Sequence, residues 1–178
     1  MNAPADKSGN LFVELLKDDI IFGQTVIMKR EFVNDSSFNE SFRFVSDHLF
    51  FVQQAKKHPF LFLDEPLAKY RVHGNNASLK NQELWNKEKI LIRQFFLKKF
   101  ASDISSDCLS DIYYKMAHAF SKLGDKKWAR HFYLKAIQAS PIHTRSVLLL
   151  ILALTNGDGF LGKSLPRFYQ KMVVHLNF

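Results

Sequence analysis

The sequence predicts a mainly helical α+β protein, in which a front half with short strands precedes an all-α back half. Two patterns support this prediction. Short strand-like apolar runs occur at residues 23–28, 60–63 and 67–72, whereas apolar residues recur at helical spacing after residue 81. A polar break at residues 102–107 is the best candidate for a domain boundary. We therefore predict a front domain over residues 1–80, a connecting amphipathic helix over 81–101 and a helical region over 107–178.

Composition limits the classes to which the chain can belong. Its 178 residues, of which 47% are hydrophobic and 24% charged, suit a globular protein with one core or a small domain with a helical annex. The single cysteine, Cys108, excludes an internal disulfide framework and favours a reducing, cytoplasmic setting. The longest apolar run, residues 147–154, is far shorter than the roughly 20 residues that span a bilayer.

The net charge of +8 predicts anionic partners, such as nucleotides, phosphorylated lipids or an anionic membrane surface. The lysine-rich stretch 80–99 and the basic tail are typical of solvated helix faces, or of contact with the inner face of a membrane. Paired Cys/His fingers, RNP aromatics and basic heptads are not found, so nucleic acid is not an expected partner.

Local patterns give the predicted elements of the front half. Ser46 is a predicted N-cap of a helix that runs to about Lys57, and His58-Pro59 ends it because the residue before proline avoids helical angles. Three short strands are predicted, at residues 23–28, 60–63 and 67–72.

The back half carries the pattern of a helical hairpin. Two apolar stripes flank a turn at Gly124-Asp125, and Pro141 closes the unit. Small residues at fixed places make residues 109–141 resemble one tetratricopeptide repeat, which must pack on neighbouring elements because one repeat cannot bury both faces. Further helices are predicted at residues 142–154 and 164–178.

Residues 38–78 carry the most informative motif. They read FNESFRFVSDHLFFVQQAKKHPFLFLDEPLAKYRVHGNNAS: a carboxylate opens an amphipathic helix, and an apolar run and a polar YRVHGNN loop follow. This order resembles the acceptor-side half of a family 2 glycosyltransferase. The resemblance implies inverting transfer of a sugar from a nucleotide sugar to a hydroxyl of a glycan or lipid-linked acceptor, as in polysaccharide synthesis.

The resemblance assigns Asp47 the role of catalytic base. In that family an aspartate of a Glu-Asp pair takes the proton of the attacking hydroxyl, and here Ser46 stands where the glutamate usually does. The alternative is that Ser46 and Asp47 only cap the helix, where a carboxylate complements the helix dipole.

The loop after the apolar run supplies the predicted substrate-binding residues: Arg71, His73, Asn75 and Asn76. Arginine and histidine two positions apart on an extended segment project to the same side and can contact a diphosphate. His73 is also a candidate ligand of the Mn²⁺ or Mg²⁺ expected in the intact enzyme. The alternative is an ordinary surface turn.

The family's nucleotide-binding half and its Asp-x-Asp metal motif have no counterpart in this sequence. We therefore expect the chain to correspond to the C-terminal portion of such an enzyme and to be inactive alone. The alternative function is a non-catalytic interaction module that binds a partner through the hairpin. Residues 157–164, GDGFLGKS, fit the phosphate-loop template, but only 14 residues follow them, so a glycine-rich turn is predicted.

Overall fold

A computed structural model describes residues 8–34, 38–71, 73–74, 76 and 80–141. Helix dominates these residues, which confirms the mainly helical class. The helices of the described part are α1 (Phe12–Lys17), α2 (Arg30–Asn34), α3 (Ser46–Lys57), α4 (Gln82–Lys99), α5 (Ser106–Lys122) and α6 (Lys126–Ala139), with 3₁₀ turns at Gly23–Thr25 and Ala101–Asp103. Residues 142–178, with both predicted tail helices and the glycine-rich turn, lie outside the described residues.

The prediction of short strands is wrong for the part of the chain that the structure describes. Residues 23–28 begin with a 3₁₀ turn, and residues 60–63 contribute one isolated antiparallel bridge, in which Gly9 and Phe60 exchange two hydrogen bonds of 2.7 Å. A strand needs a neighbour along its length, which a local apolar pattern does not supply. Ile27 and Leu61 are accordingly 93% and 80% exposed.

Helix α3 has nearly the predicted bounds, and its end at Lys57 before His58-Pro59 is confirmed. The predicted N-cap is wrong by one position, since Ser46 is the first helical residue and Val45 occupies the cap position without a side-chain hydrogen bond. The side chain of Val45 is buried, so the residue at the cap position packs into the core and does not act as a polar cap.

The helical hairpin of the back half is present as α5 and α6. Ser105 caps α5 by accepting a 3.3 Å hydrogen bond from the backbone N–H of Cys108, and Asp125 caps α6 by accepting one of 3.2 Å from Trp128. Inside the hairpin the Ser110 hydroxyl donates to the carbonyl of Ala136 at 2.8 Å. The resemblance of this hairpin to a tetratricopeptide repeat stays a prediction.

Gly124 gives a direct test of the hairpin turn. Its φ of +75° lies in the left-handed region, and a Cβ there would meet no atom within 4 Å, so the cost of Gly124→Ala is conformational. We expect this variant to lower the free energy of unfolding by about 1–2 kcal/mol in urea denaturation. Gly74→Ala is the control, since Gly74 also faces open space but has no positive φ. Equal stability of Gly124→Ala and the wild type would contradict the described turn.

One buried hydrophobic cluster crosses all three predicted regions of the chain. Helix α1 packs against both α3 and α5, and α4 packs against α5. The cluster includes Leu15 of α1, Phe50 and Val52 of α3, Ile90 and Phe96 of α4, Ile112 and Phe120 of α5, and Phe132 of α6. The front half and the hairpin are therefore held by a shared core.

Candidate functional site

Asp47 lies in the first turn of α3 and is partly buried. Its Oδ1 accepts a 2.8 Å hydrogen bond from the backbone N–H of His48. Its Oδ2 lies on the side of the 3₁₀ turn, where a Cβ added to Gly23 would come within 3.8 Å of it. Because glycine has no side chain, the turn can lie close to this oxygen.

A second carboxylate, Asp19, lies within electrostatic reach of Asp47. The residue as a whole is exposed, but partial desolvation of its carboxyl group, together with the negative charges of Asp47 and Asp18, raises its pKa to about 6. The charges of Lys89 and Arg93 oppose this shift. Asp19 therefore exchanges its proton in a pH range where an ordinary aspartate is fully ionised.

Cationic side chains border these acids from α4 and α5. Arg93 is only 3% exposed; its guanidinium donates to the backbone carbonyl of Lys89 at 2.9 Å and lies 4.0 Å from a carboxylate oxygen of Asp18. Burial lowers the pKa of Arg93 to about 10. Although burial alone would raise the pKa of Asp18, the 2.6 Å hydrogen bond and charge of Lys115, with the charge of Arg93, hold it below its usual value. Asp18 and Asp19 thus belong to a mixed-charge cluster with the buried Arg93, and Asp19 connects this cluster electrostatically with Asp47.

His48 fixes the helix immediately after Asp47. Its ring is 2% exposed, its Nε2–H donates to the carbonyl of Leu15 at 2.6 Å, and it packs edge-to-face on Phe96 at 5.5 Å between ring centroids. Burial lowers the pKa of His48 to about 4, and the charge of Arg93 adds to this effect. The imidazole is therefore neutral at neutral pH and ties α3 to both α1 and α4.

The buried His48 predicts an acid-sensitive fold. Its pKa is 6.5 when unperturbed and about 4 in the folded chain, so between these values the unfolded chain binds a proton that the folded chain does not. We expect the free energy of unfolding to fall by up to about 3 kcal/mol as the pH drops from about 6.5 to about 4. The measurement is urea denaturation over this pH range, with His48→Gln as the reference. The difference between the two proteins gives the contribution of His48 alone, because Asp19, whose raised pKa makes the free energy of unfolding change in the opposite direction, is present in both. An NMR titration of the ring with a midpoint near 6.5 would contradict this prediction.

The loop of Tyr70, Arg71, His73 and Asn76 is closed by the side chain of Asn76. Its Oδ1 accepts from the backbone N–H of His73 at 2.6 Å, and its Nδ2 donates to the Tyr70 hydroxyl at 3.0 Å and to the Arg71 carbonyl at 3.1 Å. Arg71 and His73 are exposed. The predicted contact of Asn76 with a substrate would compete with these bonds, and Asn75 lies outside the described residues.

Asp47 lies beside Gly23 and His48 and acts electrostatically on Asp19, whereas the side-chain hydrogen bonds of Asn76 stay within the loop. That Asp47 and His73 share one cleft stays a prediction. Over the described residues, no group of three or more His, Cys, Asp or Glu side chains is arranged to hold a metal ion, so the role of His73 as a ligand also stays a prediction.

Sequence reasoning missed Asp19, His48 and Arg93. Asp18 and Asp19 form an adjacent pair and not an Asp-x-Asp motif, and no sequence spacing connects either residue with Asp47. Within the described ranges, no helix combines the length and the apolar character that crossing a membrane requires. No family model, curated protein or solved structure matches the chain.

Proposed function

We propose that the chain is the acceptor-side part of a family 2-like glycosyltransferase, with Asp47 as the base that takes the proton of the acceptor hydroxyl. The observation that carries this proposal is the arrangement of its carboxylate. Oδ1 is held by the N–H of His48, while Oδ2 faces the side-chain-free Gly23. A general base needs a fixed orientation and an oxygen that a substrate can reach.

In the proposed reaction the acceptor hydroxyl gives its proton to Oδ2 of Asp47 and its oxygen attacks the anomeric carbon. The bond between that carbon and the diphosphate breaks, the nucleoside diphosphate departs, and the configuration at the carbon inverts. The exposed Arg71 and His73 are the groups of the loop that can pair with the diphosphate. A divalent ion, Mn²⁺ or Mg²⁺, would supply further positive charge to the leaving group in the intact enzyme.

The proposal includes the expectation that this chain does not act alone. Asp-x-Asp does not occur in its sequence, and His73 is a single donor without a described metal-binding group around it. The resemblance implies that a strand-rich polypeptide with that motif supplies the nucleotide site. The natural source to test is the polypeptide encoded immediately upstream, within one chain or as a separate one.

The test is a transfer assay on the chain together with that upstream polypeptide. Release of nucleoside diphosphate is followed with Mn²⁺ and a panel of UDP-glucose, UDP-galactose, UDP-N-acetylglucosamine and GDP-mannose. Asp47→Asn is expected to lower the rate by about 10²–10⁴-fold. Asp107→Asn is the matched control, because Asp107 is an exposed carboxylate in the first turn of α5.

Two results would count against the proposal. An unchanged rate in Asp47→Asn would exclude the base role and favour the non-catalytic interaction module. Turnover by the chain alone, lost in Asp47→Asn, would retain the base role but contradict the expectation that the chain needs a second part.

A further inference from the structure

Glu88 joins α4 to the turn that leads into α3. It is a charged residue with only 3% of its surface exposed. Its Oε1 accepts from the backbone N–H of Arg43 at 2.9 Å, and its Oε2 accepts from the backbone N–H of Phe44 at 2.7 Å. One carboxylate thus binds two consecutive backbone amides, which belong to a segment far away in the sequence.

The two hydrogen bonds that Glu88 accepts are expected to be strong. Successive backbone N–H groups form a concave site for an anion, and hydrogen bonds to a charged acceptor are stronger than neutral ones. Burial excludes the water that would otherwise compete for the carboxylate. Removal of the acceptor would leave two partly buried backbone N–H groups without this acceptor.

The two amides lie next to the start of the helix that bears Asp47. Val45 provides no side-chain cap for α3, and the carboxylate of Glu88 binds the backbone two and three residues before the helix begins. On the other side of Asp47, His48 is tied to the carbonyl of Leu15. Asp47 therefore lies between two buried anchors, one from α4 and one to α1.

We propose that Glu88 is a positioning residue for Asp47: it fixes the turn at Arg43 and Phe44 and thereby the direction in which the Asp47 carboxylate points. This proposal rests on the proposed role of Asp47 as a base. Glu88 acts through the backbone and touches neither the acceptor nor the donor. Helix α4, predicted as a connecting helix, then becomes part of the structure that builds the site.

The kinetic test is a double-mutant cycle of Glu88→Gln and Asp47→Asn in the transfer assay with the upstream polypeptide. Glutamine keeps the shape and one acceptor oxygen, so the fold should survive. We expect Glu88→Gln to lower kcat by about 10- to 100-fold with little change in KM, because misplacement of a catalytic group affects the chemical step. The double variant should be no slower than Asp47→Asn alone, since Glu88 acts only through Asp47.

Glu83→Gln is the control, because Glu83 is an exposed glutamate of the same helix that pairs with Lys87. It should leave kcat unchanged. A double variant that shows the product of the two separate losses would overturn the proposal, as would an increase in KM without a loss of kcat.

An NMR measurement on the chain alone separates this proposal from the proposed function. In Glu88→Gln we expect the backbone amide signals of Arg43 and Phe44 to move upfield, and those of Asp47 and His48 to shift with them. Unchanged signals at Asp47 and His48 would overturn the positioning role even in an active enzyme. If these signals shift but Asp47→Asn does not affect transfer, the result supports the positioning of this turn by Glu88 and contradicts the proposed role of Asp47 as a base.

Discussion

Replacement of Phe96 by alanine is expected to lower the free energy of unfolding by about 3–5 kcal/mol. The side chain of Phe96 is fully buried and lies at the meeting point of α4 with α3. Its ring packs against His48 at 5.5 Å and against Phe100 at 6.2 Å between centroids. Alanine would leave a cavity there, and the surrounding helices can close it only in part.

The measurement is urea denaturation followed by circular dichroism and by tryptophan fluorescence. Because the core is shared by both halves, both signals should follow a single unfolding transition, and Phe96→Ala should move it to a lower urea concentration. Leu134→Ala is the control, since Leu134 is 47% exposed and its loss should change stability by no more than about 0.5 kcal/mol. Two separate transitions, with only one displaced by Phe96→Ala, would contradict the shared core.

Phe120→Ala is expected to lower the free energy of unfolding by a similar amount, about 3–5 kcal/mol, because it removes packing inside the hairpin. Phe120 is 2% exposed, and its ring lies nearly parallel to that of Phe132, at 5.4 Å between centroids and an interplanar angle of 6°. Trp128 stacks on it at 6.0 Å. The change therefore removes the central ring of an aromatic group that joins α5 to α6.

The same denaturation experiment checks this prediction, with Lys122→Ala as a control on the exposed face of α5. The tryptophan signal should also change in the folded state of Phe120→Ala, because Trp128 loses a neighbour. If the free energy of unfolding falls by less than about 1 kcal/mol and the fluorescence is unchanged, α5 and α6 do not pack as described.

The helices could be predicted from the sequence because their information is local. Apolar spacing located α3, α4 and the hairpin, and Gly124-Asp125 marked a turn whose positive φ and helix cap both need those residues. The strands could not be predicted this way. Residues 23–28 and 60–63 have strand-like composition, but pairing is decided by what lies beside them, and only Gly9 pairs with Phe60 among the described residues.

In the candidate site, too, the sequence predicts what depends on local pattern and not what depends on contacts across the fold. Asp47 was found through the resemblance of residues 38–78, and its place in the first turn of α3 agrees with the sequence. Glu88 and Arg93 were not found, since a lysine-rich helix predicts a solvated face. Their burial depends on α4 lying against α1 and the turn before α3, a contact across the fold that no local motif encodes.

The distance between Asp47 and the loop of Arg71 and His73 decides whether these two segments can build a single site. A nitroxide label attached to His73→Cys, in a chain with Cys108→Ala, broadens the NMR signals of nearby amides. The native cysteine is 1% exposed, so its removal is a precaution against labelling during transient opening. If one site is built from both segments, the amides of Asp47 and His48 should be strongly broadened, and those of α6 should not. Sharp signals at Asp47, with broadening only elsewhere, would contradict the proposal that this acid and this loop serve a single reaction.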